Sequence, residues 1–118
     1  MGILRGTAKT IEVNCSAKIT GDLGKSQAVK FKVTFNRRSA TEYDDIVKSM
    51  HDKETDTTPQ SILRDDIVSW RDMDGEGGEV EYNEENRDLA LNHLEYLDAL
   101  FRSWVFAQTG KQAANAPN

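Results

Sequence analysis

Three groups of side chains in this chain could carry chemistry. The first is Asp72, Asp74 and Glu76 followed by Gly77, alternating carboxylates of the kind that wrap calcium. An EF-hand loop wants Asp at position 1, Asp or Asn at 3 and 5, Gly at 6 and a bidentate Glu at 12. Counted from Asp72, positions 1, 3 and 6 fit, but position 5 is Glu76 and position 12 is Asn83. Without the bidentate carboxylate the stretch reads as an acidic surface turn, and no metal is expected. The second group is Cys15, His51 and His93, a nominal nucleophile with two bases. Cys15 falls on the apolar side of an alternating segment, where cysteine acts as a small inert hydrophobe. His51 closes a predicted helix, where a cation suits the dipole, and His93 lies within a longer helical pattern. No HExxH, GxSxG, GxxxxGK[ST] or GxGxxG spacing occurs. No catalytic residue and no cofactor is expected, and the chain reads as a non-enzyme.

The third group is aromatic: Tyr96, Phe101, Trp104 and Phe106 near the C-terminus. Phe106 and Leu91 lie off the Leu97–Phe101–Trp104 line, so apolar residues cover more than one helix face. Such a helix needs more than one partner, and large aromatics dominate interface energetics. Leu97, Leu100, Phe101, Trp104, Val105 and Phe106 are therefore the candidate protein-binding residues, in a helix that serves the core and an interface together.

The elements that must position these groups follow from periodicity. Ile11, Val13, Cys15, Ala17 and Ile19 alternate with polar residues, and so do Val29, Phe31, Val33 and Phe35. That period of two marks half-buried strands. The Gly21–Gly24 stretch between them is turn-forming, so 8–36 reads as a β-hairpin with an apolar inner and a basic outer face. A hairpin alone is marginal in water, so helices must cover it. Ser39 with Glu42 forms a capping-box pattern ahead of Tyr43, Ile46, Val47 and Met50, predicting a helix over 39–53. Thr58-Pro59 opens a second over 58–66. Ile67-Val68-Ser69-Trp70 fits either a continuing helix or an extended segment, and Val80 and Tyr82 suggest a very short strand. Asn83, with Glu84 and Glu85 in the first turn, starts the longest helix, predicted to span 84–109 and to stop at Gly110. Its stripe runs through Ala90, Leu94, Leu97, Phe101, Trp104 and Val105, widened by Leu89, His93, Tyr96 and Leu100. Residues 112–118 read as a flexible tail. The expected fold is a single α+β domain over 1–118: an N-terminal hairpin packed with about three helices, the C-terminal one longest.

Composition narrows the function classes. With 118 residues the chain is of one-domain size, and it holds one cysteine, too few for a disulfide scaffold or a Cys-rich zinc module. No apolar run approaches the roughly 20 residues that cross a bilayer, and MGILRGTAKT lacks the apolar core of a secretory signal. A soluble intracellular protein with no membrane partner is expected. The net charge is −5, but it is unevenly divided. Residues 1–40 hold eight basic and two acidic side chains, and 41–118 hold seven basic and eighteen acidic ones. The acidic part would repel phosphate, so no nucleic acid is expected. The opposed halves predict salt-sensitive self-association, for which a head-to-tail arrangement of copies is one route.

From Ser61 to Lys111 the order of features resembles the tail assembly chaperones of long-tailed, siphovirus-type bacteriophages. A short helix leads into Ile67–Trp70, an acidic glycine turn follows at Asp72–Gly78, and Val80, Tyr82, Asn83, Glu84 and Glu85 introduce a helix with an aromatic-rich end before Gly110-Lys111. The resemblance implies a non-enzymatic protein that binds the tape measure protein, keeps it soluble and promotes tail tube assembly around it. It implies action in the host cell cytoplasm and absence from the finished virion. It also implies that a ribosomal frameshift near Gly110-Lys111, whose codons can form a slippery G and A run, adds an extension that recruits the tail tube protein. The alternative is a small acidic phage regulator or nucleic-acid mimic that binds a basic host protein, with carboxylates standing in for phosphates.

Overall fold

The alternation of the first 36 residues builds one sheet face. The computed structural model describes residues 2–111; the expected tail at 112–118 lies outside them. β1 (Thr10–Thr20) and β2 (Ser26–Asn36) pair antiparallel through a single 3-10 turn at Asp22–Gly24. Their register sets Ile11 opposite Phe35, Val13 opposite Val33, Cys15 opposite Phe31 and Ala17 opposite Val29. Every inward side chain thus meets another inward one. The outer face carries Asn14, Ser16, Lys18, Lys30 and Lys32, polar and basic as expected.

The hairpin is extended by a third strand. β3 (Ile67–Arg71) pairs antiparallel with β2, giving the order β1-β2-β3. The stretch that sequence left between helix and extended chain is a strand because it pairs with β2, and α2 (Pro59–Asp66) ends at the residue before it. Its register slips by one residue at Thr34/Phe35, which leaves Val68 as a bulge, half-exposed.

The predicted capping box at Ser39 forms, and the predicted N-cap at Thr58 proves to be a capping box as well. The Glu42 N–H donates to Ser39 Oγ at 3.1 Å and the Ser39 N–H to Glu42 Oε1 at 2.9 Å, opening α1 (Ala40–His51). The Ser61 N–H donates to Thr58 Oγ1 at 3.1 Å and the Thr58 N–H to Ser61 Oγ at 2.8 Å, opening α2 behind Pro59. The acidic glycine turn is a two-stranded ribbon of β4 (Asp74–Gly75) and β5 (Gly78–Glu79). The short strand therefore lies at 78–79 and not at Val80–Tyr82. A Cβ at Gly75 would run into the Val80 side chain, so glycine is required there.

The predicted 84–109 helix is two helices. α3 (Glu84–Leu91) and α4 (Leu94–Thr109) are separated at Asn92-His93, so there are four helices rather than about three. Asn and His are both poor helix formers. The Asn92 N–H divides between the carbonyls of Asp88 (3.0 Å) and Leu89 (3.3 Å), and the His93 N–H reaches only to Ala90. His93 is extended, at φ −113 and ψ 118, and its carbonyl accepts the Leu97 N–H to start α4 afresh. Packing favours the break: α3 lies against α2, whereas α4 lies along β1. α4 remains the longest helix and ends at Gly110, left-handed at φ 70.

The core joins Val13, Phe31, Val33 and Phe35 of the sheet to Leu63 of α2 and to Leu100 and Trp104 of α4. The architecture is α+β: a three-stranded antiparallel sheet with helices, the longest C-terminal. No helix among the described residues is long and apolar enough to cross a membrane.

Candidate interaction surface

An aromatic stack and a buried carboxylate join α4 to α1 and α2. Trp104 is fully buried, with Tyr43 of α1 stacked at 5.4 Å and Phe101 at 5.6 Å. Its indole Nε1–H donates to Asp66 Oδ2 at 2.7 Å. Asp66, the last residue of α2, is 1% exposed and is the one charged side chain buried among the described residues. Arg38 completes its coordination as a fork: Nε donates to Oδ2 at 3.1 Å and a terminal nitrogen to Oδ1. A bidentate guanidinium suits a carboxylate's planar geometry. Gln108 ties the same junction, accepting the Arg38 N–H at 2.7 Å and donating to the Asn36 carbonyl at 2.7 Å. The β2–α1 connection, the α2–β3 junction and the end of α4 are thus held at one point.

This arrangement corrects part of the expected binding set. Leu100 and Trp104 are 0% exposed and belong to the core, so no partner reaches them. Leu97, Phe101 and Val105 are partly buried and pack against that core. Phe106 alone of the six is exposed, at 41%, on a groove of about 720 Å³ that runs beside β1 and is lined by Ile11, Val13, Ala99 and Ser103. β1 and α2 supply most of the cover for the stripe, and Tyr43 of α1 adds its ring to Trp104. On this pair of helices two leucines are more exposed than Phe106. Leu94 is 82% and Leu89 64% exposed, both at the break between α3 and α4. A continuous helix would have kept both in its inward stripe. Carboxylates of Glu85, Asp88 and Asp98 are close in sequence, and a cleft between α2 and α3 runs past Leu89 to Gln60 and Arg64.

Known protein families, characterised proteins and solved structures offer no match to this chain.

Asp72 lies within ion-pair distance of Lys32 and Arg71, each at 3.6 Å. Among the described residues no set of three His, Cys, Asp or Glu side chains is arranged to hold a metal ion. Cys15 is buried beneath α4, and that burial pushes its thiol up to about 11, far from a reactive thiolate. His93 precedes α4 with its ring against Tyr96 at 5.1 Å.

Glu95 does something the sequence did not signal. It accepts the Thr20 N–H through both carboxylate oxygens, at 3.0 and 3.1 Å, and the Thr20 hydroxyl at 2.8 Å. The backbone hydrogen bond from Thr20, then its hydroxyl, holds the Glu95 carboxyl below the usual glutamate range. The native state therefore binds this proton less readily than the unfolded chain. Stability from the contact is complete above the unfolded pKa and is lost as pH falls through the native one. Glu95→Gln should flatten the dependence of the thermal midpoint on pH in the acid range, and an unchanged slope would show that the contact contributes nothing.

Proposed function

We propose that this protein is a tail assembly chaperone of the siphovirus type, binding a tape measure protein, keeping it soluble and promoting tail tube assembly around it. The observation that carries the reading is the exposure of two apolar side chains, Leu89 and Leu94, on the helix pair, with acidic side chains along the same segments. A surface of that chemistry accepts the apolar stripe of an amphipathic helix, with Lys or Arg beside it meeting Glu85, while Asp88 and Asp98 are paired within the chain. Long helices of a tape measure expose such stripes until the tube encloses them. The acidic excess of residues 41–118 also suits a carrier that must keep an apolar cargo dispersed. On this reading the protein acts in the host cytoplasm, has no catalytic role and leaves before the virion is complete. The tail tube protein would be engaged through a frameshifted extension beyond Gly110-Lys111.

Co-expression with the tape measure protein tests this. The tape measure protein should be insoluble alone, and soluble and co-purified in the presence of this chain. Leu94→Asp and Leu89→Asp should each remove co-purification while leaving the far-UV circular dichroism unchanged, because both side chains are solvent-exposed in the free protein. A partner that is soluble unaided, or that stays insoluble beside the parent chain, rejects the reading. Complexes that survive in low salt but dissolve in moderate salt would point instead to the acidic-mimic alternative, since exposed ion pairs are screened and apolar contacts are not.

A further inference from the structure

We propose that two copies of this chain join through the free edge of β1, antiparallel about a two-fold axis at Cys15, to make one continuous six-stranded sheet. The inference is independent of the chaperone reading. β1 is an edge strand of eleven residues with no bulge, proline or glycine. Main-chain groups alternate in direction along an antiparallel strand. The Arg37 N–H donates to the Lys9 carbonyl at 2.8 Å, so Lys9 and every second residue after it point their main chain at β2. Thr10, Glu12, Asn14, Ser16, Lys18 and Thr20 therefore point theirs outward. The Thr20 N–H does so visibly, since Glu95 meets it there. Between Glu12 and Lys18 the outward main chain has no partner among the described residues. The opposite edge is not open in this way. The Trp70 indole donates to the Val80 carbonyl at 2.9 Å, the Tyr82 hydroxyl to the Ile67 carbonyl at 3.4 Å, and the Trp70 and Tyr82 rings meet at 5.0 Å.

An unpaired regular edge is a template for another strand, and the side chains along this one select a second copy. Pairing about Cys15 sets Glu12 opposite Lys18 of the other chain, Asn14 opposite Ser16, and the same contacts again by symmetry. Lys18 has no carboxylate partner in its own chain among the described residues, while the Arg71 fork on Glu12, at 2.8 and 2.9 Å, leaves a further lone pair on each carboxylate oxygen. Sliding the register by two residues in either direction loses both opposite-charge pairs. The groove beside β1 agrees: Ala99 and Ser103 are small enough for two α4 helices to approach, and half-exposed Phe106 lies at its rim. An isologous contact of this kind closes at two copies, unlike a head-to-tail one.

Sedimentation equilibrium of the full chain over a concentration series should show a reversible monomer–dimer transition. Lys18→Glu sets like charges opposite each other twice and should weaken the dimer about tenfold. Adding Glu12→Lys to it restores complementarity and should restore the dimer, a rescue that damage to the fold would not show. Ser16→Pro removes an outward N–H at a position where an edge strand tolerates proline and should give a folded monomer. Mixed Asn14→Cys and Ser16→Cys chains should cross-link under mild oxidant, and neither should do so alone. A chain that stays monomeric throughout overturns the proposal. So does a dimer indifferent to Lys18→Glu and Ser16→Pro, or a monomer whose β1 edge takes up an extended peptide from another protein.

Discussion

Replacing Asp66 by alanine is expected to lower the free energy of unfolding by about 3–5 kcal/mol, the loss typical of breaking one side of a buried ion pair. Asp66 is 1% exposed and serves Arg38 and the Trp104 indole together. Its removal strands a partly buried guanidinium and a buried N–H donor at once. Arg38 keeps 28% of its side-chain surface in water and can partly rehydrate, which argues for the lower end of that range. A domain typically has about 5–15 kcal/mol of stability in all, so the effect is a large share. Asp66→Asn keeps an acceptor for the indole while losing the charge, and should be milder, at about 1–3 kcal/mol. Urea unfolding reads the result directly: the midpoint should fall with little change in slope. An Asp66→Ala free energy of unfolding within about 1 kcal/mol of the parent's would mean that water replaces the carboxylate without loss.

The second large effect is expected at Trp104. Trp104→Ala removes a fully buried ring from between Tyr43 and Phe101 and should destabilise by about 3–5 kcal/mol. Any loss of partner binding in that variant would follow from loss of the fold. Trp104→Phe keeps most of the ring but leaves Asp66 without its indole donor, at about 1–3 kcal/mol. Because Asp66 and Trp104 share one hydrogen bond, the Asp66→Ala/Trp104→Ala double variant should lose less than the two singles combined. Strict additivity in that cycle would show that the indole contact carries no coupling energy.

Features encoded within a few residues were legible in the sequence. The alternation of Ile11–Ile19 and Val29–Phe35 gave both strands and their facing, and the caps at Ser39 and Thr58 marked two helix starts. Features decided by distant partners were not. Ile67–Trp70 is too short for its period to distinguish helix from strand, and its pairing with β2 settles it. The apolar rhythm runs through Asn92-His93 unbroken, because Ala90, Leu94 and Leu97 keep the helical spacing; only the weak propensities of Asn92 and His93 hinted at the break. Asp66 looks like any carboxylate at a helix end. Its partners, Arg38 and Trp104, stand 28 and 38 residues away along the chain. Of the six candidate binding residues, two proved to be core, because a stripe announces that a helix face is covered and not by what. Phe106 was distinguished correctly as lying off the inward line.

That α4 lies along β1 has a bearing on how the protein comes to be made. The hairpin is complete at Asn36, whereas the helix that shields its apolar face ends at Thr109. At ribosomal rates of about 5–20 residues per second, the nascent chain carries an unshielded Val13, Cys15, Phe31 and Val33 for roughly 4–15 seconds. Hairpins themselves close in about 1–10 microseconds, so the exposed sheet forms long before its cover is synthesised. On a polysome translating one message, neighbouring nascent chains would present the same open β1 edge to one another during that interval, so the strand pairing inferred for the finished protein could begin between chains still attached to ribosomes.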